Sequence, residues 1–275
     1  WHLKKSMQSL SEALESSLKK TGANLIFGQK VNSIDFDEVN MLWKVSANSK
    51  KKSFVYLAKD LIFTAPPQSL LKYLKGPLNS KLTYKNRLTN LPDPSGAVVF
   101  YSALKKEHLK EISSNHYQFV SNEFGSVFVS ISEDGDGRAP KGEVTLIASI
   151  FTKTKDWFDL DKQNYLKRKK DFMKKISLEL EGQFNIIPQN WLHRELATPL
   201  GFEKWTNRPN GIVGGLGQNP DTFGLFGLSS RTPFEGLWLC GDSIYPGEGT
   251  AGVSQSALMV SRQIIASKGM ENFNL

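Results

Sequence analysis

The chain has 275 residues, 39% of them apolar and 23% charged, with a formal net charge of +8. That balance excludes a disordered or low-complexity chain and leaves room for one large domain or two modest ones. No apolar run approaches the ~20 residues of a membrane span, Cys240 stands alone and excludes an internal disulfide, and the positive charge comes without a nucleic-acid recognition motif.

Met7, Leu10, Leu14 and Leu18 form one helical stripe, predicting a helix from Ser6 to Thr21 that Gly22 stops. Ala23 to Phe27 and Val31 to Phe36 read as strands. A hairpin follows, with Met41 to Val45 and Phe54 to Leu57 around a lysine-rich turn. Leu61 to Thr64 reads as a short buried strand halted by Pro66 and Pro67, with a helix from Ser69 to Leu74 behind it. In the middle, Ala97 to Tyr101, Tyr117 to Val120, Val127 to Ile131 and Val144 to Phe151 alternate or run apolar, as antiparallel strands do. A helix from Lys162 to Glu181 carries an apolar stripe of Leu166, Met173, Ile176 and Leu180. Its basic face holds Lys167, Arg168, Lys169, Lys170, Lys174 and Lys175. That face is either plainly solvated or drawn to anionic lipid. Trp191 to Leu196 is a further strand, Leu237 to Cys240 the last strand and Ala251 to Ala266 the last helix. The residues alone indicate a mixed α/β layer at both ends and an α+β middle.

The run GLWLCGDSIYPGEGTAGV, Gly236 to Val253, puts an apolar strand, an acid at Asp242, a glycine-rich loop and a helix start in sequence. Free backbone N–H groups and the positive end of a helix dipole converge at such a corner. Gly247, Gly249 and Gly252 match G-x-G-x-x-G. However, Pro246 separates them from the strand, and the downstream acid is Glu271 in a polar tail, so the Rossmann fingerprint is incomplete. A simple tight turn would explain Gly247 and Gly249, but not Asp242 at a strand end before a small-residue helix start. Other motifs fail. The Asp134-Gly-Asp136-Gly run would need Glu where Thr145 stands in a calcium loop. Gly252-Val-Ser254-Gln-Ser256 lacks the last glycine of a nucleophile elbow. His2, His108, His116 and His193 lack metal-ligand spacing, so no metal site is read.

The segment LWLCGDSIYPGEGTAGVSQSALMVSRQI resembles the C-terminal flavin signature of the FAD-dependent phytoene desaturase and carotenoid isomerase group, within the flavin-containing amine oxidase superfamily. The run ATPLGFEKWTNRPNGIVGGLGQ from Ala197, and SMQSLSEALESSLKKTGANLIFGQKVNSI from Ser6, are similar to the same branch. The resemblance implies α/β and α+β architecture: a partial FAD-binding (glutathione-reductase-like) domain lacking its N-terminal βαβ unit, plus a mixed-sheet substrate domain with helices. Residues 1–65 and 200–275 would form the discontinuous FAD-binding part, and 66–199 the substrate-binding domain. The chain is expected to be a C-terminal fragment, inactive and weak or deficient in FAD binding by itself, with FAD held by the complete protein.

The resemblance also implies site roles. Gly241, Asp242, Gly249, Thr250, Ala251, Gly252 and Val253 would line the flavin. Helix-start amides would face the negative charge that reduction puts on the ring, and Asp242 would accept from a ribitol hydroxyl. The backbone at Val31 would lie beside the adenine. No catalytic residue is assigned. An apolar polyene or carotenoid is the implied substrate, with peripheral membrane association, no nucleic-acid partner, and a cytoplasmic or plastid, thylakoid-associated location. Two alternatives stay open: a superfamily enzyme acting on an amine or porphyrin, and a non-catalytic pigment- or lipid-binding module.

Overall fold

The computed structural model describes residues 7–109, 112–133, 135–217, 220 and 222–269. Ser6, His2, Asp134, Gln218 and Glu271, each part of a motif above, lie outside those residues. The first element, α1 (Gln8–Lys20), ends as expected, with Gly22 at φ +78° just past it. Its stripe forms but is not covered: no residue of α1 is buried, and Met7, Leu14 and Leu18 are exposed.

The strand expected over Ala23–Phe27 is absent. Those residues are irregular, and Phe27 is 76% exposed; a short, largely apolar segment makes a strand only when a neighbour takes its backbone hydrogen bonds, and none of the described strands pairs with it. Three antiparallel strands follow in order, β1 (Lys30–Asp37), β2 (Leu42–Asn48) and β3 (Ser53–Ala58). Ile34, Trp43 and Ala47 occupy their buried positions. Next come β4 (Leu61–Phe63), α2 (Leu70–Tyr73), α3 (Lys75–Leu78) and α4 (Leu82–Thr89).

A longer strand, β5 (Ser95–Lys105), precedes β6 (His116–Ser121), β7 (Gly125–Ile131) and β8 (Glu143–Lys153). In β8, Val144, Leu146, Ala148 and Ile150 are buried at every second position, the period of a strand with one covered face. The short α5 (Lys155–Phe158) leads into α6 (Lys162–Phe184). Asp161 caps α6 by accepting from Asn164 N–H, and Asn185 closes it in the left-handed region. Ile176 and Leu180 are buried as expected, but Leu166 is exposed. Tyr165 and Phe172 turn inward instead, onto the buried Trp157 at 6.2 and 5.8 Å, so the aromatic residues rotate the apolar face of the helix. The chain continues through β9 (Trp191–Ala197), α7 (Pro199–Thr206), β10 (Leu237–Leu239) and α8 (Gly249–Ser267).

Two compact units result. One takes the segment ending at Ile26 together with Gly96–Gly211 and contains the five-stranded sheet, ordered β6-β7-β8-β5-β9. Val98, Phe100, Val129, Leu146, Trp157, Ile176 and Leu180 meet in its core. The other takes Phe27–Ser95 and the chain from Ile212 onward. It holds β1-β2-β3 and a parallel pair, β4 with β10, around Trp43, Leu70, Leu74, Leu78, Leu88, Leu237 and Leu239. Both are discontinuous, and the divisions fall at 26/27, 95/96 and 211/212, whereas the sequence expectation kept 1–65 together and put its divisions at 65/66 and 199/200. Helices α2 to α4 drop their leucines into the second core, which carries residues 66–95 with it. Gly211 stays with the first unit because it lies against Pro199: a Cβ there would overlap the Pro199 carbonyl. Among the described residues no helix is long and apolar enough to cross a membrane.

Candidate functional site

The glycine corner lies wholly within the second unit. Strand β10 runs parallel to β4, with Leu237, Trp238 and Leu239 in register with Leu61, Ile62 and Phe63. Leu61 N–H donates to Gly236 O, and Cys240 N–H donates to Phe63 O. These bonds turn the backbone of Leu61 and Phe63 toward β10, and that of Ile62 toward the opposite edge. Ile62 is 43% exposed, so the strand expected to be buried is covered on one side only.

Beyond Leu239 the chain turns at once. Gly241 takes φ +128°, a value that L side chains rarely adopt, and its N–H donates to Ser256 Oγ at 3.1 Å. Ser256 is buried in the second turn of α8, so one hydrogen bond ties the strand end to the helix. Its hydroxyl also lies 3.8 Å from Cys240 Sγ. Ile244 N–H donates to Gly241 O and Gly247 N–H to Ile244 O, folding the loop into two successive turns. Helix α8 begins at Gly249, two residues before the expected start, which puts Gly249 to Gly252 in its first turn.

That turn is open and narrow. The side chain of Glu248, at the N-cap, does not cap it, so the leading N–H groups have neither an intrahelical partner nor a side-chain cap. Gly249, Thr250 and Ala251 are exposed, and Gly252 and Val253 are half-buried. A Cβ on Gly252 would stand 2.4 Å from Gly247 O, so the loop and the helix start touch backbone to backbone. The opposite side of the corner is packed: the crevice between Asp242–Gly247 and Leu228 holds about 10 Å3, room for one water at most. Asp242 is half-buried, with Ser243 Oγ donating to its Oδ1 at 3.3 Å.

Gly241, Asp242 and Gly249 to Val253 are thus gathered at one strand-to-helix corner. Val31 is not. It lies on β1, opposite Ala47 and beside a bulge, in the three-stranded sheet of the same unit. Three contributors have no local signal in the sequence. Ser256 acts from the second helical turn. Glu248 stands at the N-cap. Gly215 lies so close to the corner that a Cβ would be 2.1 Å from Asp242 O; the Gly214-Gly215 pair is the one hint of that approach. The far end of α8 is tied to β4 through Asp60, which receives Lys268 Nζ at 2.6 Å and Trp238 Nε1 at 3.1 Å.

Chemically, an uncapped helix start built from small residues offers converging N–H donors and a positive potential to an electron-rich edge of a planar ligand. No described group of three His, Cys, Asp or Glu side chains is placed to hold a metal ion. In the calcium-like run, Arg138 Nε donates to the Asp136 carboxylate at 2.7 Å, a turn closed by an ion pair.

No family model matches the chain. Over 273 residues it is 24% identical to prolycopene isomerase, chloroplastic, of Arabidopsis thaliana, covering 95% of this chain and 45% of that protein. Over 151 residues it is 29% identical to the protein of the same name from Daucus carota, covering 54% of this chain and 24% of that one. Among solved structures, an oxidoreductase from Methanosarcina mazei superposes with a TM-score of 0.57 at 17% identity, covering 91% of this chain and 53% of that one. Cyclohexylamine oxidase from Brevibacterium oxydans gives 0.56 at 15% identity, covering 93% and 52%. Aklavinone-11 hydroxylase, solved with FAD and aklavinone, gives 0.52 at 14% identity, covering 96% and 42%. The chain spans about half the length of the Arabidopsis protein and of the first two structures. In sequence the chain is similar to prolycopene isomerases, and it shares its fold with solved oxidoreductases, cyclohexylamine oxidase among them.

Proposed function

We propose that this chain supplies the ring-facing corner of an FAD site to an oxidoreductase of carotenoid desaturase or isomerase type. The observation that carries the reading is the open first turn of α8, with Gly249, Thr250 and Ala251 exposed, no side-chain cap, and Gly252 closed against Gly247. The similarity to prolycopene isomerase along 95% of the chain supports the polyene class of substrate. When bound, flavin supplies the redox chemistry. The amides of Gly249, Thr250 and Ala251 hold the pyrimidine edge and favour negative charge there. Gly252 and Val253 let the ring approach the helix, and Gly241 sets the turn. Asp242 accepts from a ribitol hydroxyl, and Val31 borders the adenine.

For this chain by itself, weak flavin binding and no turnover are expected. The chloroplastic relatives and the basic face of α6 support peripheral association with a plastid membrane. An amine substrate is the second reading, favoured by the fold shared with cyclohexylamine oxidase. The deciding experiment uses the complete protein. It is loaded with FAD and given prolycopene or an alkylamine anaerobically, and products are separated by chromatography. Isomerised or desaturated polyene supports the first reading, and amine oxidation alone would replace it with the second.

A further inference from the structure

In the first unit, a cleft of about 530 Å3 opens between α6, the end of β8 and the turn joining β6 to β7. The flavin corner uses none of its residues. One wall is a stripe of α6, with Lys167, Arg168, Phe172 and Lys175 at helical spacing. The other carries Phe124 and Phe151.

Its surface is of two kinds. Phe151 is 67% exposed, and the Phe124 and Phe172 rings meet at 4.7 Å, which leaves an aromatic strip facing water. The cations are unevenly matched. Lys175 is paired with Glu123 at 2.6 Å. Arg168 lies over the Trp157 ring at 5.0 Å and reaches Asp156 through Nη2 at 3.3 Å, yet its Nε is buried without an acceptor. Lys167 makes no ion pair among the described residues, and Asp171 is the carboxylate on the same wall. An inorganic anion would leave the aromatic strip bare. A neutral apolar molecule would leave Lys167 without a counter-charge. An acyl chain with an anionic head satisfies both, and the volume falls in the range of small-molecule sites.

We propose that this cleft binds an amphiphile with an acyl chain and a carboxylate or phosphate head, the chain over Phe124, Phe151 and Phe172 and the head at Lys167 and Arg168. The proposal does not depend on the flavin reading. The test is saturable binding of fluorescent parinarate by the full chain, with Lys167→Gln and Phe151→Ser as variants at exposed positions. Each variant should weaken binding about fivefold. Laurate should displace the probe, its methyl ester should do so at least tenfold less well, and inorganic phosphate should not. Displacement by laurate in solution identifies a free acyl anion; co-sedimentation only with phosphatidate-containing vesicles, lost in both variants, identifies a bilayer lipid; either supports the site. Equal binding by both variants, equal competition by the ester, or displacement by phosphate alone overturns it.

Discussion

Replacing Gly252 by alanine tests the corner where fold and proposed chemistry meet. The added Cβ would lie 2.4 Å from Gly247 O and 2.9 Å from its carbonyl carbon, whereas ordinary contact begins at 3.4 Å. The start of α8 must therefore retreat from the loop by about 1 Å. Overpacking of this kind costs about 1–3 kcal/mol. Alanine recovers about 0.5–1 kcal/mol over glycine within a helix, so a net loss of about 1–2 kcal/mol is expected. Urea denaturation of the chain measures it as a lowered midpoint with an unchanged slope. Gly249→Ala is the control: nothing lies within 4 Å of its Cβ, and the cost comes only from φ +84°. In the complete protein, a 1 Å retreat stretches the helix-start hydrogen bonds beyond useful length, so flavin affinity should fall about tenfold or more for Gly252→Ala. A Gly252→Ala protein of wild-type or greater stability with unchanged flavin affinity would refute the backbone contact and its proposed role together.

Two further outcomes concern titration. Burial alone would raise the Asp60 carboxyl, but hydrogen bonds from Lys268 and Trp238, with the Lys268 charge, outweigh it and hold it below its ordinary 3.8. A lowered folded-state value gives stabilisation that is complete above the unfolded value and lost as pH falls through the folded one. Asp60→Asn should flatten the acid limb of the stability curve and cost about 1 kcal/mol at neutral pH; an acid profile superimposable on wild type would count against it. Burial pushes the Tyr84 phenol up to about 12, and its hydroxyl is buried without a partner. Its stabilising share is intact below 10.0 and lost as pH rises toward 12. Tyr84→Phe should remove that alkaline loss and be neutral or stabilising by about 1 kcal/mol at pH 7, as thermal melts at both pH values would report.

The corner was legible because its signals are local: strand, acid, Pro-Gly break and small-residue helix start follow one another within one run, and the structure gathers them at one strand-to-helix corner. Contacts distant in sequence were not. Nothing near Ser256 says that its hydroxyl holds Gly241, and the Gly214-Gly215 pair hints at a close approach without saying that Asp242 O is what rests there. Ala23 to Phe27 misled because apolar content marks a strand only where a partner exists. Leu166 misled because Tyr165 and Phe172, packing on Trp157, turn the helix by aromatic contact that aliphatic periodicity does not reveal. Helix α4 (LTYKNRLT) has too sparse a stripe to read in isolation; only Leu88 is buried, against leucines supplied by α2 and α3.

The sharpest measurement is the reduction potential of FAD in the complete protein, wild type against Thr250→Asp. A carboxylate in the first turn of α8 suits the helix dipole, so folding should be preserved. The same charge beside a ring that gains electrons should lower the potential by about 30 mV, equivalent to about 1.4 kcal/mol for a two-electron couple. An unchanged potential in a fully flavin-loaded variant would mean that the helix start faces something other than the flavin.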